Sequence, residues 1–131
     1  MVYGQPTLAQ GGKGLSLTPQ IALVGGGYWG KNLCRNFHAL GALSVMDDNT
    51  ENRDKAARSI TSDVQITDSL DDILRDDQIP GIALATPAEI HAELVIQAMQ
   101  AGKDVFVEKP MALTLEDAEE MQKIAEKMFA F

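Results

Sequence analysis

Apolar residues along the chain fall into short unbroken runs, and between the runs they recur at helical spacing. Ile21-Ala22-Leu23-Val24 is four apolar residues in succession, followed by Gly25-Gly26-Gly27 and then by Asn32–Leu40, where Leu33, Phe37 and Leu40 share one face and Tyr28 and Trp29 stand at the start. A continuous apolar run bounded by glycine reads as a strand buried on both faces, and spacing of three to four residues reads as an amphipathic helix. The alternation repeats. Ala42–Met46, Val64–Thr67, Ile82–Ala85 and Asp104–Val107 are further strands, and Glu51–Ser59, Ser69–Arg75, Glu89–Ala101 and Leu115–Phe129 are further helices. Gly41 and Gly102 stand where helix C-caps are expected, Asn49 or Thr50 caps the second helix, and Thr114 with Asp117 three residues on resembles a capping box.

Strands alternating with helices demand right-handed crossovers, so the predicted fold is α/β: a doubly wound parallel sheet of five strands, covered on both faces. In such sheets ligands bind beyond the carboxyl ends of the strands. The residues to examine are therefore the glycine loop, Asp47, Thr86-Pro87 and Glu108-Lys109-Pro110. Residues 1–19 hold six of the chain's glycines and prolines without any sustained apolar period and read as a flexible arm. Residues 20–131 read as one domain.

The 131 residues suffice for a single core without metal or disulfide. Cys34 is the only cysteine, either packed as a small apolar group or a reactive thiol, and His38 and His91 alone form no metal-ligand cluster. A formal net charge of −8 argues against a broad basic surface for nucleic acid or anionic lipid, which points to a small-molecule partner held by local donors. With no leader pattern and no membrane-length apolar run, the expected setting is reduced, soluble and cytoplasmic.

Gly25, Gly27 and Gly30 fit G-x-G-x-x-G, in which one glycine makes a tight turn, one lets backbone approach a pyrophosphate and one lets helix pack closely on strand. The first turn of the following helix offers unpaired N–H groups and a partial positive charge to that anion. Asp47 lies 47 − 27 = 20 residues beyond Gly27, near the ~20 expected of an acid that accepts from a ribose diol. Alternatively, it opens the next turn. As a diol acceptor its carboxylate would repel an extra phosphate, which favours NAD over NADP, although Arg53 and Arg58 stand nearby.

Lys109 directly follows a strand and should project into the crevice, where an ammonium can orient a substrate hydroxyl or help move its proton; its bland reading is a surface lysine paired with Glu108. His91 is either a core-edge histidine or a ligand to ribose or substrate. Tyr28 and Trp29 pack either against a cofactor or against the sheet. A methyltransferase-like domain also uses a glycine loop and an acid after its second strand, but it leaves Glu108-Lys109-Pro110 without a reason.

Three stretches together, Val24–Asn32, Ala85-Thr86-Pro87 with His91 four residues on, and Ala101–Pro110 ending in Glu-Lys-Pro, resemble the N-terminal NAD(P)-binding domain of the Gfo/Idh/MocA oxidoreductases. The likeness covers about Gln20 to Phe129. It implies oxidation or reduction at a sugar, cyclitol or sugar-derivative carbon, with Lys109 positioning and activating the reacting hydroxyl and Thr86, Pro87, His91 and Glu108 bordering the nicotinamide half of the cofactor. The Gly-Tyr-Trp-Gly-Lys-Asn version is most similar to the branch acting on nucleotide-linked sugars. Family members carry a second α/β domain with most substrate contacts, which this chain is expected to lack together with a sixth strand. That leaves a sheet edge open as a route to a homo-oligomer. The chain is thus expected to be the cofactor-binding part of a dehydrogenase, inactive by itself, with a stand-alone dinucleotide-binding module as the competing reading.

Overall fold

A computed structural model describes residues 21–40, 43–46, 51, 52, 54 and 65–129. The expected arm over residues 1–19, the cap at Gly41, Asp47 and most of the expected helix Glu51–Ser59 lie outside them; Glu51, Asn52 and Asp54 are helical. In chain order the elements are β1 (Ile21–Val24), α1 (Tyr28–Leu40), β2 (Leu43–Met46), β3 (Gln65–Thr67), α2 (Leu70–Arg75), β4 (Gly81–Leu84), a 3₁₀ turn (Ala88–Ile90), α3 (His91–Gln100), β5 (Asp104–Val107) and α4 (Leu115–Met128).

The five strands form one parallel sheet in the order β3-β2-β1-β4-β5. The chain winds outward from β1 through β2 to β3, then crosses back to lay β4 on the other side of β1. The winding direction reverses between β1 and β4, and a crevice opens at the carboxyl ends of those two strands.

Strand residues alternate between the faces, so each apolar run feeds two cores. Leu23 and Ala83 are buried with Cys34 under α1, and Ile21, Leu33 and Phe37 pack against them. On the other face Ala22, Val24, Ile82 and Leu84 are buried with Ile73 of α2, Val95, Ala98 and Met99 of α3 and Met121 of α4. Burying each of the larger aliphatics stabilises the fold by about 1.5–3 kcal/mol, enough to override the weak strand propensity of the alanines. Cys34, fully buried, packs as a small apolar group.

Local signals place the helix ends. The Ser69 and Thr114 hydroxyls accept from the N–H groups of Asp72 (3.3 Å) and Asp117 (3.1 Å), capping α2 and α4. Gly102, at φ +78°, closes α3 while the Lys103 N–H donates back to the Ala98 carbonyl. Lys103 then buries its side chain and donates from Nζ to the Asp76 carbonyl at 2.6 Å, tying the start of β5 to the end of α2.

One expectation shifts, and one agrees with the open sheet edge expected from the sequence. β4 begins at Gly81 and ends at Leu84, one residue earlier than its apolar run suggests, and the following helix begins as a 3₁₀ turn. β5 is less buried than a central strand: Phe106 is half exposed and meets Phe37 edge to face, because among the described residues β5 pairs only with β4. An open edge leaves one flank of a strand without cover.

Candidate functional site

Where β1 ends, Gly25 turns the chain with φ +98°, and a β-carbon there would lie 2.5 Å from the Ala85 carbonyl oxygen and 3.0 Å from the Thr86 nitrogen. Both the left-handed backbone and the contact with the loop after β4 require glycine. The Ala85 N–H donates to the Val24 carbonyl (2.8 Å) and the Glu108 N–H to the Leu84 carbonyl (3.1 Å). The ladder therefore runs past the strand ends, and the loops after β1, β4 and β5 leave the sheet at one level. Gly30, in the first turn of α1, faces the same loop, and a β-carbon on it would strike the Gly25 carbonyl oxygen.

Gly27 differs from both. It has no left-handed φ, and no heavy atom of the described residues stands within 4 Å of where its β-carbon would be. Packing among the described residues makes no demand for glycine there; the open space lies at the start of α1, whose first turn carries no acidic residue. A bare backbone beside a helix N-terminus suits an anion such as a pyrophosphate.

Next to this loop is a hollow of about 130 Å³ bordered by five of the residues singled out in the sequence, Trp29, Thr86, His91, Glu108 and Lys109. Ala85 and Ala88 complete the lining. Neither was singled out as a site residue in the sequence, although their place on either side of Thr86-Pro87, immediately after a strand, marks them. Pro87 is exposed and starts the 3₁₀ turn at φ −56°. Tyr28 and Trp29 are 79% and 63% exposed and touch edge to face, so neither is packed against the sheet. A larger hollow of about 310 Å³ lies between β3 and α2, but it holds none of the expected site residues.

Thr86 has a buried hydroxyl with no hydrogen-bond partner among the described residues. Leaving a buried polar group unpaired costs about 1–3 kcal/mol, which a ligand able to reach it would recover. His91 is 1% exposed, and its ring spans two loops: Nε2 is 2.8 Å from the Thr86 carbonyl oxygen and Nδ1 is 2.7 Å from that of Pro110. It borders the hollow with both nitrogens turned to the backbone. Glu108 is half-buried, Lys109 is exposed, and the Lys109-Pro110 bond is cis. Asp47 lies outside the described residues; Met46, just before it, pairs with Val24, so β2 ends beside the glycine loop. Among the described residues no group of three or more His, Cys, Asp or Glu could hold a metal ion, and no helix is long and apolar enough to cross a membrane.

Residues 20–130 match the model of an oxidoreductase family with an NAD-binding Rossmann fold, the Gfo/Idh/MocA group. An uncharacterized oxidoreductase of Streptococcus pneumoniae is 36% identical over 103 residues, 78% of this chain and 28% of that protein. The 2,7-anhydro-N-acetylneuraminate hydratase of Mediterraneibacter gnavus is 36% identical over 111 residues, 84% of this chain and 29% of the enzyme. Among solved structures, GenD2 from gentamicin A biosynthesis in complex with NAD superposes with a TM-score of 0.76 at 27% identity, over 94% of this chain and 36% of that one. The WlbA dehydrogenase of Bordetella pertussis, in complex with NADH and UDP-GlcNAcA, gives 0.74 at 30% identity, over 87% and 35%. The chain thus spans less than a third of the length of these two curated relatives.

Proposed function

This chain belongs to the Gfo/Idh/MocA oxidoreductase family, and we propose that it is the cofactor-binding domain of an NAD-dependent dehydrogenase acting at a hydroxyl or carbonyl carbon of a sugar or sugar nucleotide. The observation that carries this reading is the unpartnered hydroxyl of Thr86, on a residue that lines a hollow shared with Lys109 at the point where the sheet reverses its winding. The empty space over Gly27 supports it from the other side of the loop.

The backbone around Gly25 and Gly27 and the first turn of α1 would hold the pyrophosphate, with Gly30 seating the helix close enough to reach it. Asp47 would accept from the ribose diol of the adenosine half, and its charge is the reason to favour NAD over NADP. Trp29, Thr86, Pro87, His91 and Glu108 would border the nicotinamide half, with Tyr28 flanking the phosphates. When bound, the dinucleotide supplies a hydride acceptor or donor at its nicotinamide ring. Lys109 would donate from its ammonium to the reacting oxygen, orienting a hydroxyl or giving a proton to a carbonyl as it is reduced, which a flexible donor at an exposed strand end can do. The sugar assignment is supported by the UDP-GlcNAcA held by WlbA.

Titrating NADH and following its fluorescence tests the cofactor half of the reading. A saturable change is expected, and no saturation up to about 1 mM, the weakest affinity worth calling specific here, rejects it.

A further inference from the structure

We propose that His91 is a positioning residue, a crossbar that fixes the loop after β4 against the turn after β5 and so holds Thr86 and Lys109 at one hollow; this rests on the dinucleotide reading above. Its ring nitrogens lie 2.8 Å from the Thr86 oxygen and 2.7 Å from the Pro110 oxygen. Both partners are backbone carbonyls, which only accept, so the ring holds either loop by donating an N–H to it. No other side chain contact among the described residues' hydrogen bonds joins these two loops.

The crossbar has a rigid base. His91 is the first residue of α3, whose Val95, Ala98 and Met99 are buried in the core, and the ring itself is 1% exposed. Each carbonyl it holds belongs to, or directly follows, a residue of the hollow: Thr86 carries the unpartnered hydroxyl, and Pro110 follows Lys109. With both ring nitrogens committed to the backbone, His91 acts on a ligand through the loops it ties and through no polar contact of its own.

The test compares NADH with ADP-ribose, which lacks the nicotinamide, on the wild-type chain and on His91→Phe, which keeps a ring and removes its N–H. The expected result is a loss of about tenfold in NADH affinity, the order of one lost hydrogen-bonding interaction, with ADP-ribose within about twofold of wild type. Should His91→Phe fail to fold, His91→Gln carries the same comparison, because its amide can still donate to one loop; a loss of about threefold for NADH alone is then expected. Unchanged NADH affinity, or equal loss of both ligands, overturns the positioning role while the cofactor reading stands. A wild-type chain that binds neither ligand overturns the cofactor reading and the role with it.

Discussion

Gly30 sits against Gly25 so closely that a β-carbon on Gly30 would strike the Gly25 carbonyl oxygen, while Gly25 in turn leaves no room for a β-carbon beside Ala85. Helix α1, the loop after β1 and the loop after β4 are therefore stacked backbone on backbone. Two of the three motif glycines answer to the protein's own packing, and the third, Gly27, meets no atom of the described residues within 4 Å of its β-carbon position. Under the proposed function, the difference separates a folding role from a binding role at positions only a few residues apart.

Gly30→Ala should destabilise the domain by about 1–3 kcal/mol, because neither the Gly25 carbonyl nor the helix can move away without disturbing the sheet. Gly27→Val should leave the urea midpoint near that of wild type while NADH binding is lost, since its side chain would stand in open space that the pyrophosphate needs. Urea unfolding alongside NADH titration reads both. A Gly27→Val chain that unfolds early, or still binds, contradicts the assignment.

Thr86→Val keeps the shape and removes the buried, unpartnered hydroxyl. In the ligand-free protein the change should be neutral or stabilising by up to about 1–3 kcal/mol, because a desolvated group without a partner is lost. NADH affinity should fall by about tenfold if the hydroxyl donates to or accepts from the cofactor. Thermal unfolding and NADH titration of the same preparation decide the matter: a gain in stability without a loss in affinity would mean that the hydroxyl serves no ligand.

On its proposed role, Asp47→Ala should weaken NAD more than NADP, since the substitution would remove both the diol acceptor and the charge that repels a 2′-phosphate. The preference between the two cofactors, measured by competition against NADH fluorescence, is expected to narrow by at least about tenfold. Equal loss for both leaves Asp47 as an ordinary turn residue.

Lys103→Met preserves the apolar stem and removes the ammonium that donates to the Asp76 carbonyl at 2.6 Å. A hydrogen bond from a charged donor contributes about 1.5–3 kcal/mol, and a loss of that size in urea unfolding is expected. Lys103 precedes β5, at the end of the sheet away from the glycine loop, so NADH affinity should not change.

Much of this was legible before any coordinates. Ile21–Val24 and Asp104–Val107 are strands with the expected bounds, and Thr114 caps α4 as its spacing with Asp117 suggests. These signals are local: an apolar run, a hydroxyl three residues before an N–H, a glycine at a helix end. Burial was harder to read. Val105-Phe106-Val107 of β5 is as apolar as β1, yet Phe106 is half exposed, because exposure depends on what lies alongside and a run of apolar residues says nothing of its neighbour.

The amino-acid sequence by itself determined the alternation of strand and helix, the glycine turn and the family, since each is written in residues close together along the chain. Only the tertiary structure decided what His91 does. Its two partners, Thr86 and Pro110, are 5 and 19 residues away, and they meet the ring because β4 and β5 lie side by side and end at one level. Hydrogen bonds reach about 3 Å and are strongly directional, so which atoms pair across that distance is settled by packing and not by spacing.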